Sequence, residues 1–160
     1  MFVRKKKIKG NDYAYLVENM WTKKGSRQKV RAYLGKIYYF EQVKNISLEE
    51  NNDRQKLLKN LIECEFLKHG FEKQGNEFVN KDLVVSFENN LIKIKNSDLQ
   101  AAFAFNQGYL CNYFIEKLFN LQIAKKEKEK QEAMLDVAKL FVNAGINVPQ
   151  EVFIKFYNLI

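Results

Sequence analysis

Positive charge is concentrated at the beginning of this 160-residue chain. Residues 1–36 contain eleven Lys and Arg residues against two acidic ones, a formal charge of +9. Residues 37–160 contain sixteen basic and seventeen acidic residues, so their formal charge is −1. Because 46% of the residues are hydrophobic, the chain can build a core, and the charge does not indicate disorder of the whole chain. So many unbalanced cations on so short a segment indicate a polyanionic partner.

The basic segment also has the pattern of a small sheet. Three runs with strand composition, at 2–9, 13–21 and 27–34, are separated by the turn residues Gly10-Asn11-Asp12 and Lys23-Lys24-Gly25-Ser26. Such short separations favour antiparallel pairing of consecutive strands. The sequence therefore predicts a three-stranded antiparallel meander.

Alternation along these strands predicts a cationic face with aromatic residues beside it. On the third strand, one face would carry Arg27, Lys29, Arg31 and Tyr33, and the other, fit for burial, Gln28, Val30, Ala32 and Leu34. Cations bind phosphates, and tyrosine rings stack on bases. The predicted nucleic-acid-binding residues are Arg4, Lys5, Lys6, Lys7, Lys9, Lys23, Lys24, Arg27, Lys29, Arg31, Tyr13, Tyr15 and Tyr33, with Trp21 as a further stacking candidate. Which face meets the ligand stays open, because a slip of one residue exchanges the two faces.

The opening of the chain also resembles a known module. The residues VRKKKIKGNDYAYLVEN, followed after a turn by GSRQKVRAYLGK, resemble the short N-terminal strand module of certain DDE-type transposases, and are similar to the start of small archaeal and mobile-element proteins. The resemblance covers residues 1–37 and implies contact with DNA. The 123 residues that follow are too few for a full RNase H-like catalytic domain and show no triad of carboxylates, so transposase activity is not implied.

The rest of the chain has patterns of both helices and strands, so the sequence predicts an α+β protein. We expect two parts, a basic β-sheet module at 1–36 and an α+β body at 37–160. A connector over 37–46 leads to a capping box, Ser47 to Glu50, and a helix that Gly70 ends. Period-two alternation over 71–105, with a turn at Asn89-Asn90, predicts a second small antiparallel sheet. Asn106 is expected to cap a helix over 107–121, and two C-terminal helices are expected at about 124–145 and 149–160. These last helices would either close the core or form a homodimer interface, since Phe153, Phe156 and Tyr157 need a partner surface.

Few residues of the chain can carry catalytic or metal chemistry. Cys64 and Cys111 are the only cysteines and His69 is the only histidine, too few for a Cys/His metal site or a disulfide framework. The glycines form neither a phosphate-binding nor a dinucleotide-binding loop. We therefore expect a protein that is not an enzyme and uses no metal or cofactor. The basic first ten residues lack the apolar run of a secretory signal, and no apolar stretch reaches the length of a membrane span, so we expect a cytoplasmic protein without a membrane partner.

These observations predict a nucleic-acid-binding protein, for DNA or structured RNA, that contacts phosphates through its N-terminal sheet and catalyses nothing. A protein-interaction or ribosome-associated adaptor is the first alternative, because a basic sheet can also tune association with a protein partner. An accessory or remnant component of a mobile element is the second.

Overall fold

The computed structural model describes residues 1–49, 51–121 and 127–159 of the chain. Over these residues the protein is an α+β structure of nine strands and four helices, which confirms the predicted class. The strands are β1 (Phe2–Ile8), β2 (Asn11–Thr22), β3 (Gly25–Tyr39), β4 (Glu72–Gln74), β5 (Glu77–Asn80), β6 (Leu83–Glu88), β7 (Leu91–Ile94), β8 (Ala101–Phe105) and β9 (Gly108–Leu110). The helices are α1 (Arg54–Lys68), α2 (Asn112–Phe119), α3 (Glu127–Ala144) and α4 (Gln150–Asn158).

The first sheet contains the predicted meander and extends beyond it. Its order is β1-β2-β3-β8-β9, and β1, β2 and β3 are antiparallel neighbours, as the sequence predicts. β3 continues to Tyr39 and pairs in parallel with β8, so the expected boundary after residue 36 falls inside a strand. The prediction that residues 99–105 belong to the second sheet was wrong. Ala101–Phe105 is largely buried on both faces, which is typical of a strand in the middle of a sheet.

Gly35 brings β3 close to the chain that precedes β8. Its φ of +127° lies in a region that L-residues avoid, and a side chain there would overlap the backbone of Gln100 and Ala101. Beside it, the Lys36 amide donates a hydrogen bond of 3.0 Å to the Gln100 carbonyl. A glycine at this position therefore allows the N-terminal meander to join the rest of the sheet.

The second sheet is antiparallel and local, in the order β4-β5-β6-β7. The predicted turn between β6 and β7 is confirmed, and Asn89 and Asn90 both have positive φ, at 51° and 61°. Two consecutive residues of positive φ are typical of the tight type I′ turn, which matches the twist of a hairpin.

Helix α1 begins later than the sequence predicts. Ser47 lies in a segment without regular structure, and Glu50, the other half of the predicted capping box, is outside the described residues. The N-cap is Asp53, whose Oδ1 accepts a hydrogen bond of 2.8 Å from the Lys56 amide. The end of the helix is as predicted, since Gly70 follows the C-cap with a φ of +84°.

Asn106 does not cap a helix, which corrects the prediction for this segment. It lies in the turn between β8 and β9, and α2 begins only at Asn112. The Asn106 Nδ2 donates to the Glu65 carboxylate at 2.9 Å and to the Gly145 carbonyl at 2.7 Å. A polar side chain that the sequence favours as a cap is used here to join three parts of the fold.

The core lies where α1 meets both sheets. The ring of Phe66 on α1 lies 5.1 Å from the ring of Phe78 in the second sheet and 5.3 Å from the rings of Phe103 and Phe105 in the first. All four residues are fully buried. Burial of aromatic rings at one junction therefore holds the two sheets together.

The C-terminal helices complete this core from within the chain. As predicted, α3 ends before Gly145 and α4 follows Pro149, although residues 122–126 and Ile160 lie outside the described residues. Phe156 is fully buried, 5.5 Å from the ring of Phe141, and Tyr157 is partly buried against the core. In the described part of the chain, no helix is both long and apolar enough to cross a membrane.

Candidate nucleic-acid interface

Two bulges in β3 change the faces that simple alternation predicts. Tyr15 lies opposite Tyr33, although Ala14 lies opposite Gly35, so Leu34 is an extra residue on β3. Arg31 is extra in the same way, because Leu16 lies opposite Ala32 and Val17 opposite Val30. Each extra residue shifts the register of the alternation by one position.

The bulge at Arg31 places Tyr33 on the other face of the sheet from Arg27 and Lys29. Directly opposite residues of an antiparallel pair share a face. Lys29 lies opposite Glu18 and Arg27 opposite Met20, whereas Tyr33 lies opposite Tyr15. Residues 18 and 20 point to the other side of β2 from residue 15. The expectation that Arg27 and Lys29 share a face with Tyr33 was therefore wrong.

Beyond Val17 the sheet narrows to two strands with both faces exposed. β1 ends opposite Val17, so the rest of β2 pairs only with β3. All residues from 19 to 31 are exposed, and we call this segment the ribbon. The predicted burial of Gln28 and Val30 was wrong: Val30 is 58% exposed, and burial on that strand begins near Ala32 and Leu34. The ribbon has no core-facing side, which is unusual for a structural hairpin.

The tip of the ribbon is held by its own turn. Thr22 lies opposite Gly25, and its hydroxyl donates to the Gly25 carbonyl at 2.8 Å while accepting from the Lys24 amide at 3.3 Å. The turn therefore presents Lys23 and Lys24 to solvent at a defined place.

Most cations of the ribbon have no acidic partner. Arg31 is the exception, because its guanidinium binds the Glu18 carboxylate, with 2.6 Å between Nε and Oε2. In the part of the chain that the structure describes, no carboxylate lies within ion-pair distance of the other four ribbon cations. These are Lys23, Lys24, Arg27 and Lys29.

Two of the predicted cations on β1, Arg4 and Lys5, contact side chains of the neighbouring strands. The Lys5 Nζ lies 3.6 Å from the Asp12 carboxylate and 5.5 Å from the ring centre of Tyr39, whose hydroxyl donates to Asp12 at 2.6 Å. The hydrogen bond from Tyr39 and the charge of Lys5 lower the pKa of Asp12, and Tyr39 and Asp12 in turn raise the pKa of Lys5. The Arg4 guanidinium donates to the Gln28 amide oxygen at 2.8 Å. Lys6, Lys7 and Lys9 are exposed on β1 and on the turn after it.

The three predicted tyrosines form one cluster at the base of the ribbon. The ring of Tyr33 lies 5.4 Å from that of Tyr15 and 6.4 Å from that of Tyr13. Partial burial raises the pKa of Tyr33, and the ring remains 42% exposed. Arg4 and Lys6 lie directly opposite Tyr15 and Tyr13, so cations and tyrosines do share a face, but on β1 and β2 rather than on β3.

A large groove lies elsewhere on the surface. It has a volume of about 880 Å³ and lies between the end of β3, the end of α1 and the β5–β6 turn. Its rim carries the acidic residues Glu41, Glu72 and Asp82 against one lysine, Lys81. An anionic ligand is disfavoured there.

The two thiols and the imidazole are buried. Burial raises the pKa of the Cys111 thiol to about 11 and also raises that of Cys64. His69 is buried, with its Nδ1 2.8 Å from the Glu65 carbonyl oxygen and its ring stacked on Phe105. Among the described residues, no three potential metal ligands of the His, Cys, Asp and Glu types come together.

Comparison of the chain with models of known protein families, with curated proteins and with solved structures finds no match.

Proposed function

We propose that this protein binds nucleic acid, DNA or structured RNA, through the ribbon, and that it catalyses no reaction on it. The observation that supports the proposal is the ribbon itself. It exposes both faces of a two-stranded hairpin and carries four cations without an acidic partner among the described residues. Solubility alone does not require such a concentration of one sign of charge.

The ribbon has the dimensions of a nucleic-acid-binding element. Two paired strands are about 5 Å apart, and a DNA major groove is about 12 Å wide, so a hairpin of this kind can enter it. Its length from Asn19 to Thr22 is about 10 Å at about 3.3 Å per residue. Strand pairing already fixes the backbone of the ribbon in the free protein. The conformational entropy lost on binding is therefore mainly that of side chains.

The base of the ribbon can extend this surface. Tyr13, Tyr15 and Tyr33 are partly exposed beside Arg4 and Lys6, and lysines on β1 continue the positive charge. A nucleic-acid strand bound at the ribbon can therefore continue along the sheet surface, with its phosphates near lysines and its sugars or bases near tyrosine rings.

The test removes the ribbon charges without touching the fold. Lys23, Lys24, Arg27 and Lys29 are all changed to Gln, and binding to labelled duplex DNA, single-stranded DNA and a structured RNA is measured at two salt concentrations. We expect affinity at low salt to fall by at least about 100-fold, because each phosphate contact that is lost reduces the number of counterions released on binding. The dependence of log K on log salt is expected to become less steep by about 3.

A matched control removes the same charge elsewhere. Lys44, Lys56, Lys81 and Lys93 are exposed and lie outside the first sheet. Changing these four to Gln gives the same net charge, and affinity is expected to stay within about threefold of the unchanged protein. Equal losses of affinity in both variants would mean that net charge, and not the ribbon, accounts for binding. Absence of binding to all three nucleic acids would refute the proposal and favour a protein partner.

A further inference from the structure

We infer that the ligand presents at least one unpaired base, which stacks on Trp21 and is contacted by the side-chain amides of Asn19 and Gln28. The inference rests on the proposed function and adds to it the class of nucleic acid that the ribbon selects, single-stranded or looped rather than continuous duplex.

Trp21 is placed as a stacking platform. Its side chain is 86% exposed, the highest value for a large apolar residue among those described. It lies directly opposite Ser26, a small residue, one pair before Thr22 and Gly25, which close the turn. Tryptophan is a large apolar residue that folding normally removes from water in large part. Here the fold leaves the indole ring without cover.

An amide pair lies on the same face, one step from the ring. Asn19 and Gln28 are directly opposite each other, so their Cβ atoms are about 5 Å apart, and Asn19 is about 7 Å along the strand from Trp21. The Gln28 oxygen already accepts a hydrogen bond from Arg4, which leaves its NH₂ group as the donor for a ligand. Asn and Gln amides offer the paired donor and acceptor that base edges require.

Apart from Arg4 of β1, whose guanidinium donates to Gln28, the nearby cations lie around this face rather than on it. No register shift occurs between Val17 and the turn, so Arg27 and Lys29 lie on the opposite face from Trp21. Lys23 and Lys24 lie in the turn beside it. A base on this face can therefore have its flanking phosphates held by Arg4 and around the tip of the ribbon.

Stacking on Trp21 requires a base with a free face. In a continuous duplex, neighbouring base pairs cover both faces of each base, and separating a step costs a few kcal/mol. An unpaired base offers its face without that cost, and its hydrogen-bonding edge is open to amides. The arrangement of ring, amides and cations therefore favours unpaired nucleotides.

Trp21 is the chain's only tryptophan, so its fluorescence reports on this site alone. The unchanged protein is titrated with a single-stranded oligonucleotide and with the same sequence as a blunt duplex. We expect strong quenching by the single strand, at saturation, and little by the duplex. Affinity for the labelled single strand is expected to exceed that for the duplex by at least about tenfold.

Variants separate stacking from phosphate contacts. Trp21→Ala, with all cations intact, is expected to weaken single-strand binding by roughly 5- to 150-fold and duplex binding by less than about threefold, while Trp21→Phe retains part of the affinity. Asn19→Ala combined with Gln28→Ala is expected to reduce discrimination between bases more than affinity. Leu135→Ala, at another exposed apolar residue, on α3, is the control and should change neither.

The outcomes distinguish this inference from the proposed function. If the four-Gln variant loses binding but Trp21→Ala binds single strands as well as the unchanged protein, the ribbon binds phosphates only and the inference is overturned. A clear preference for duplex would overturn it in the same way. If no nucleic acid binds, both proposals fail.

Discussion

At the scale of single residues, Glu65 is a buried carboxylate with several hydrogen-bond partners. Its carboxylate is 1% exposed and accepts hydrogen bonds from the Asn106 side chain and the Asn147 amide, with the Lys68 ammonium 3.3 Å away. These partners belong to α1, the β8–β9 turn and the loop between α3 and α4. One buried carboxylate therefore joins three segments that are far apart in sequence.

Glu65→Ala is expected to lower the free energy of unfolding by about 2–4 kcal/mol, because it leaves buried donors without an acceptor. Glu63→Ala, two residues away on the same helix, is the comparison. Glu63 pairs with Lys73 at 2.6 Å on a partly exposed surface, and its loss should cost less than about 1 kcal/mol. Urea unfolding of both variants measures the difference, and equal costs would contradict the role assigned to Glu65.

At the scale of secondary-structure elements, Asp12 links the three N-terminal strands. It lies on β2, binds Lys5 of β1 and accepts the hydrogen bond from Tyr39 at the end of β3. The Tyr39 hydrogen bond and the Lys5 charge lower its pKa below the ordinary value near 3.8. The charged form of Asp12 thus stabilises the folded sheet.

This linkage predicts a pH dependence with a definite sign. A carboxyl with a lowered pKa in the folded state stabilises it fully above the ordinary pKa, and the contribution is lost as pH falls toward the lowered value. Asp12→Asn is therefore expected to be less stable than the unchanged protein near neutral pH, with the difference shrinking below about pH 4. Urea unfolding of both proteins from about pH 7 to about pH 2 tests it, and a difference that grows on acidification would be the opposite result.

At the scale of the whole molecule, the N-terminal strands are both part of the core and the support of the ribbon. Ala14, Leu16 and Leu34 belong to the same buried cluster as Phe66 and Phe103. Removing residues 1–36 would expose that cluster and leave only residues 37–39 of β3 paired with β8. The ribbon, in contrast, contributes no residue to the core cluster.

Two deletions are therefore expected to behave differently. Replacing residues 20–27 with an Asn-Gly turn joins the opposite residues Asn19 and Gln28 and should retain the cooperative thermal transition, with nucleic-acid binding lost. Removing residues 1–36 should abolish the transition. Circular dichroism on heating compares the two. A cooperatively folded product of the longer deletion would show that the N-terminal strands are an independent module.

Local patterns predicted much of this fold, and the failures have physical causes. The meander, the Asn89-Asn90 turn and the ends of α1 and α3 depend on neighbouring residues, and all were predicted. The start of α1 was not, because Ser47 and Asp53 are both acceptable caps and the sequence alone does not rank them. Asn106 was assigned to a helix cap, although its partners Glu65 and Gly145 are each about 40 residues away.

The candidate site was likewise predicted only in part from the sequence. The amino-acid sequence by itself determined where the positive charge lies and which N-terminal runs form strands, because charge and strand propensity are local properties. Tertiary structure decided that β8 joins β3, that the bulge at Arg31 separates Tyr33 from Arg27 and Lys29, and that Trp21 and Val30 stay exposed. Those features depend on which distant strand pairs with which and on how far the core extends along a strand. Side-chain alternation along one strand cannot encode either, because a single extra residue exchanges the two faces.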